Sequence, residues 1–155
     1  MPLRKITAIA LAALIVAFSA AAFAQTTPIV VDPAIATMTP EQLVETRQAH
    51  MKQNGGILRG AAQLSGADAV AAATTLLQNF TDFPALFVEG SVVGDSKALP
   101  AIWERWDEFN AILVKDQVSA AAALAAAEAG DTAAFGAAIQ AIGGSCGECH
   151  QQFRG

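Results

Sequence analysis

Two thiols and an imidazole crowd the last ten residues of the sequence, in the run Cys146-Gly147-Glu148-Cys149-His150, and no other cysteine is present. Three apart on a helix, the sulfurs share a face, and His150 leaves the helix about 100° round from Cys149. Four chemistries compete for such a group. A dithiol of the thioredoxin kind belongs in a βαβ setting, and no strand-like alternation is visible. Zinc needs four protein ligands, or three and a water, so His50, the one other histidine, would have to complete the set. Two inert thiols within reach of each other would tend to oxidise in an exported protein. The spacing C-x-x-C-H is also that of c-type haem attachment. There each thiol adds across one vinyl group, the two-residue spacer matches the vinyl separation, and the histidine offers nitrogen to the iron. This reading alone accounts for every residue of the run, and it removes the free thiols.

Export is expected from the other end of the chain. Arg4 and Lys5 precede a charge-free apolar run from Ile6 to Ala22, and Ala22-Phe23-Ala24 has the small-x-small form of a cleavage site. The segment reads as a secretory signal peptide cut after Ala24, with residues 25–155 as one domain in the periplasm. An uncleaved anchor is the competing reading, because the apolar run is just long enough to span a bilayer. Without Arg4 and Lys5, seven basic and fourteen acidic residues remain, a net charge of −7. An acidic chain of this kind is a poor partner for nucleic acid or an anionic membrane surface. It would favour basic partner proteins.

The elements that must position the cysteines are helical. Thr39-Pro40-Glu41 reads as an N-cap, a first-turn proline and an early acid. A first helix runs from there to about Leu58, with Leu43, Arg47, Met51 and Leu58 on one stripe. A second is expected from Gly66 to Asn79, broken by Phe80-Thr81-Asp82-Phe83-Pro84. A long apolar connection follows, and a third helix is expected from Pro100 to Glu128, stopped by Gly130. Its inner face would carry Ile102, Trp106, Phe109, Leu113 and Ala120. Asp131 caps a fourth, on which Phe135, Ile139, Ile142, Cys146, Cys149 and Phe153 recur in alternating steps of four and three. That is the spacing of a bundle seam. The fold class expected is all-α: an antiparallel four-helix bundle with haem c between the helices and a long crossover between helices two and three.

The whole of residues 25–155 resembles the class II c-type cytochromes, that is, cytochrome c′ and its Met-ligated low-spin relatives. The resemblance rests chiefly on Cys146-Gly147-Glu148-Cys149-His150-Gln151-Gln152-Phe153-Arg154 at the end of the last helix. Supporting pieces are Arg47-Gln48-Ala49-His50-Met51-Lys52, Phe83-Pro84-Ala85-Leu86-Phe87, Ala101-Ile102-Trp103 and Ala129-Gly130-Asp131. It implies one covalently attached haem c, with thioethers at Cys146 and Cys149 and His150 as the proximal ligand. It also implies Arg47 and Gln48 by the propionates, Arg154 beside His150, and Phe87 and Met51 on the distal side.

Several of these roles have independent physical support. An arginine on an inward stripe needs an anion; a propionate would serve Arg47, as would Glu45 at the surface. Arg154, four residues after His150, shares its face and would keep the imidazole neutral; a solvated arginine favouring the helix dipole is the alternative. Met51 leaves two readings open. If its sulfur meets the iron, a six-coordinate His/Met haem suits electron transfer between redox partner proteins. If it only packs there, a five-coordinate iron has room for NO or CO. Peroxide turnover lacks a distal proton shuttle in Met51 and Phe87, so the expectation is a non-enzymatic carrier. His50 is expected at the surface, Glu148 as a solvated charge, and Trp103 and Trp106 as core and haem-edge packing. Small residues from Gly60 to Ala73 would permit pairing with a second copy.

Overall fold

The computed structural model describes residues 28–155; the expected signal peptide, 1–24, lies outside the described residues. A 3₁₀ turn at Pro33–Thr37 leads into α1 (Pro40–Gly60), followed by a second turn at Ala61–Gln63 and α2 (Gly66–Leu86). After the crossover come a short α3 (Ala101–Glu104), α4 (Trp106–Ala129) and α5 (Thr132–Phe153). Thr39 caps α1 reciprocally: its hydroxyl accepts from the Gln42 N–H at 3.3 Å while Gln42 Oε1 accepts from the Thr39 N–H at 2.9 Å. Gly130, at φ 70°, ends α4 in the left-handed conformation that a side chain disfavours. Asp131 then accepts from the Ala134 N–H at 2.9 Å to open α5. So short a link makes α4 and α5 antiparallel neighbours.

Four long helices form the expected bundle. α2 packs on α4 and α4 on α5 over most of their lengths, whereas α1 packs mainly on α2 and stands off α5. Leu76, Phe83, Ile102, Phe109, Ala120 and Ile142 are almost wholly buried at the centre. A ladder of rings, edge-to-face except for the tilted Phe83–Phe87 pair, runs from Phe80 through Phe83, Phe87 and Phe109 to Phe153.

Two expectations are corrected. The second helix does not break at Phe80–Pro84 but continues to Leu86 with Pro84 inside it. A proline in the last turn removes one backbone hydrogen bond, at a cost of about 3 kcal/mol. Burying Phe80, Phe83 and Leu86 on the same turn returns about 1.5–3 kcal/mol for each side chain. The third helix is divided at Arg105, whose backbone turns to φ −128°, ψ 48°. Hydrogen bonds carry through the kink, from Arg105 N to Ala101 O and from Phe109 N to Arg105 O, both 3.0 Å. The Arg105 guanidinium lies 4.7 Å over the Phe153 ring and donates to Glu108 at 2.9 Å.

The crossover is tied down at both ends. Leu99 N donates to Phe153 O at 3.0 Å and Gly155 N to Lys97 O at 2.9 Å, joining it to the C-terminus of α5. Trp103 Nε1 donates to Phe87 O at 2.9 Å.

Phe83→Ala should lower stability by about 3–5 kcal/mol, read as a fall in the urea midpoint. Val118→Ala, at a position 64 % exposed, should stay within about 0.5 kcal/mol of the parent.

Candidate haem site

The seam read from α5 is observed. Phe135, Ile139, Ile142 and Phe153 are buried along it, with Cys146 and Cys149 half-buried between them. Cys146 Sγ donates to Ile142 O at 3.3 Å. Burial raises the Cys146 thiol, and burial followed by the nearby Asp116 carboxylate pushes Cys149 up to about 11. Both are therefore neutral thiols at pH 7, the opposite of the lowered pKa that a dithiol redox centre requires. His50 does not join them. It is half-buried against α2, with Nε2 3.5 Å from Asp82 Oδ2 and its ring edge-on to Phe83. The expected surface histidine is thus an interhelix contact, because Asp82 and Phe83 lie on the extra length of α2. His150 is half-buried beside the sulfurs. Burial first, and then Arg154, hold its imidazole below the ordinary histidine value, so it is neutral with a lone pair available.

Between α1 and α5 lies a slot with two lobes, of about 500 Å³ and 400 Å³. Met51, Cys149 and His150 border both, and so mark the waist. The first lobe is lined by Arg47, Gln48, Lys52, Phe87, Lys97 and Arg154, with Asp95 as its one acid. The second is bordered by Leu58, Phe80, Phe83, Leu113 and Cys146. A porphyrin has this polarity, with carboxylates along one edge and methyl and vinyl groups along the other. The donor set matches too: two thiols one turn apart at the apolar side and a neutral imidazole at the waist.

Arg47 is 4 % exposed and has no carboxylate partner among the described residues. Its Nη1 donates to Leu86 O at 3.0 Å and Ser91 Oγ at 2.8 Å, and its Nη2 to Ser91 O at 2.6 Å and Ser96 Oγ at 2.8 Å. The guanidinium also lies 4.7 Å over the Phe87 ring. Desolvation lowers its pKa from the ordinary arginine value. The pairing with Glu45 is not made; the cation instead binds the start of the crossover and keeps its charge for the first lobe. Gln48, at the surface, donates to Asp95 Oδ1 at 3.1 Å. Phe87 packs edge-on against Phe109, 4.8 Å between centroids. Arg154 is exposed at the mouth. Glu148 points outward as expected and pairs with Lys115 at 3.2 Å. Neither Trp103 nor Trp106 borders the slot; Trp106 packs on Phe109 at 5.7 Å.

Two polar residues in the walls were missed. Asp116, 3 % exposed, accepts from Ser145 Oγ and borders the second lobe. Asn54, 4 % exposed, borders the same lobe. Each was legible as a polar residue on an apolar stripe: Phe109, Leu113, Asp116 and Ala120 are spaced four, three and four, as are Arg47, Met51, Asn54 and Leu58.

Residues 39–154 match the family model described as Cytochrome C′. The chain belongs to the cytochrome c′ family. It is 37 % identical over 124 residues to cytochrome c′ of Pararhodospirillum photometricum, covering 75 % of this chain and 98 % of that one. It is 42 % identical over 118 residues to cytochrome c-556 of Agrobacterium tumefaciens (strain II Chrys), covering 72 % and 95 %. Among solved structures it is similar to the nitric oxide complex of a variant cytochrome c prime from Alcaligenes xylosoxidans. That match has a TM-score of 0.63 and 28 % identity, over 75 % of this chain and 96 % of that one. The four-helix bundle is the family fold, and the family cofactor is haem c, attached covalently.

Arg47→Ala leaves four acceptors without their donor, three in the crossover and Leu86 O at the end of α2. It should cost about 3 kcal/mol in denaturant unfolding and speed proteolysis between residues 88 and 97. Burial raises the Asp116 carboxyl to about 6 from an ordinary 3.8. Between those values the folded chain binds more protons than the unfolded one, so this group's contribution falls as pH rises from about 4 to about 6. Asp116→Asn should therefore gain about 1–3 kcal/mol over the parent at pH 8 and nothing below pH 4, read from urea midpoints at the two pH values.

Proposed function

We propose that the protein is a periplasmic carrier of single electrons, exported by the leader 1–24 and working as one haem domain over residues 25–155. In this reading Cys146 and Cys149 carry the thioethers, His150 is the proximal ligand and Met51 closes the distal side as sixth ligand. The observation that carries it is the shared border of the two lobes: a thioether from α1 and an imidazole from α5 stand at one waist. When bound, the haem supplies the one-electron couple. The chain's own residues do the rest. Burial and Arg154 keep His150 neutral. Arg47, Gln48 and Arg154 offer donors at the propionate end, and the buried charge of Arg47 favours the reduced state. The aromatic ladder and the anchored crossover hold the walls still, which keeps reorganisation on electron transfer small.

Five of the seven basic residues in 25–155 border the slot: Arg47, Lys52, Arg59, Lys97 and Arg154. The mouth is thus the cationic part of an acidic molecule, even after two propionates offset part of the charge. A redox partner is therefore best matched by carboxylates on its docking face, rather than the basic face that net charge alone suggested. The relatives are named as cytochromes, which supports a carrier over an enzyme. Among the described residues no helix is long and apolar enough to cross a membrane.

A second reading has its own support, because a relative binds nitric oxide. If Met51 packs without ligating, the distal side is open to NO or CO. Absorption spectra separate the two. Ligation by Met51 gives a low-spin spectrum that Met51→Ala converts to high spin, with CO binding gained. A high-spin parent spectrum, or a low-spin one indifferent to Met51→Ala, removes Met51 from the iron.

A further inference from the structure

Asp116 is the one carboxyl among the residues that line the second lobe, which it borders together with Cys146, Cys149 and His150. Its side-chain bond is to Ser145 on α5, not to His150 or Met51. Ser145, 2 % exposed, has its Oγ within hydrogen-bond reach of Asp116 Oδ1 and also 3.0 Å from Ile142 O. A hydroxyl has one proton to donate and lone pairs with which to accept. When Asp116 is ionised, Ser145 donates to the carboxylate. When Asp116 is protonated, it donates to Ser145 Oγ, and Ser145 turns its own proton to Ile142 O. Both charge states are thus hydrogen-bonded with no movement of the backbone, so neither carries the penalty of an unpartnered buried group. Burial raises the Asp116 carboxyl to about 6, with the Ser145 bond and Lys115 pulling the other way and Glu148 adding a little to the rise. Lys115 and Glu148 are themselves paired at 3.2 Å. Of the other elements around the lobe, α1 brings the exposed Arg59 and α2 only Phe80 and Phe83. His150 is neutral, and the two cysteines are neutral as thiols and do not titrate as thioethers. Water has a way in, because the lobe reaches the surface at Gly143, which is exposed and has open space where a side chain would stand.

We infer that Asp116 couples proton binding to electron transfer: with each electron accepted from a redox partner the carboxylate takes up a proton, which leaves again with the electron. The balance is simple. The partner supplies the electron, hydronium in the entering water loses its proton, and one O–H bond forms on Asp116. Negative charge added to a site of low dielectric makes a nearby carboxylate harder to keep ionised. Protonation cancels that charge inside the site. Ser145 is the positioning residue, since its hydroxyl serves both states of the carboxyl. The inference rests on the haem lying in the slot but not on whether Met51 ligates, because the iron can be reduced in either coordination.

The test is a redox titration of the haem-loaded protein from about pH 4 to about pH 8. The reduced protein binds more protons than the oxidised one, so the midpoint potential should fall as pH rises through the range in which Asp116 titrates. If reduction strengthens proton binding about tenfold, the whole fall is about 59 mV. Asp116→Asn, uncharged at every pH, should lose the fall, matching the parent at the acid end and lying above it by the same amount at about pH 8. Ser145→Ala removes a donor that favours the carboxylate and should move the fall to higher pH. The reduced-minus-oxidised infrared spectrum near pH 6 should show a protonated-carboxyl C=O band that Asp116→Asn lacks. Circular dichroism and haem content establish that each variant is folded and loaded. If Asp116→Asn is not, the shift in Ser145→Ala decides. A fall kept in full by folded Asp116→Asn puts the proton on another group, such as a propionate, and overturns the inference. A parent potential independent of pH does the same, as does a fall that Ser145→Ala leaves in place. The spectra of Met51→Ala bear on ligation and these potentials on Asp116, so the two proposals fail separately.

Discussion

The separation of α1 from α5 governs the rest of this molecule. Three of the four bundle edges are closed by side chains: α2 on α4, α4 on α5 and α1 on α2. Along the fourth, between α1 and α5, runs the slot. Haem c, the family cofactor, would fill that slot and so contribute packing as well as chemistry.

The slot's electrostatics follow from which polar groups the walls bury. Arg47, Asp116 and Asn54 are each at least nine-tenths buried, and each is bonded on the side away from the slot: to the crossover, to Ser145 and to Asn79. Anchoring from behind fixes direction. It leaves a cation at the first lobe, a carboxyl near the cysteines and an amide beyond Met51. Fixed charges and dipoles in a site of low dielectric act more strongly than the same groups in water. The crossover matters for the same reason, because it holds both Arg47 and the end of α5.

Local rules failed where tertiary packing outweighed them. Proline ends an isolated helix, yet Pro84 lies within α2 because the turn around it buries Phe80, Phe83 and Leu86. That extension carries Asp82 and Phe83 to His50, which is why a histidine taken for a surface residue is an interhelix contact. The kink at Arg105 has no sequence mark either. It reflects a guanidinium seated on Phe153 of another helix, a contact 48 residues away. Net charge misled in the same way, since a count carries no position and the basic residues gather at one end.

What the sequence determined by itself is the set of features that depend on nearby residues. The cysteine spacing, the histidine beside it, the seam on α5, the Thr39 and Asp131 caps and the Gly130 stop are all settled within a turn or two of helix. They were enough to imply the bundle, the haem and the family. Tertiary structure alone decided the features that join distant segments. These are the bonds from Arg47 to the crossover, Asp116 against Ser145, His50 against Asp82 and the Asn54 amide bonded by Asn79. The physical reason is that a side chain's hydrogen-bond partner and dielectric are set by the helix it packs against, and periodicity shows which face is buried but not what lies across from it.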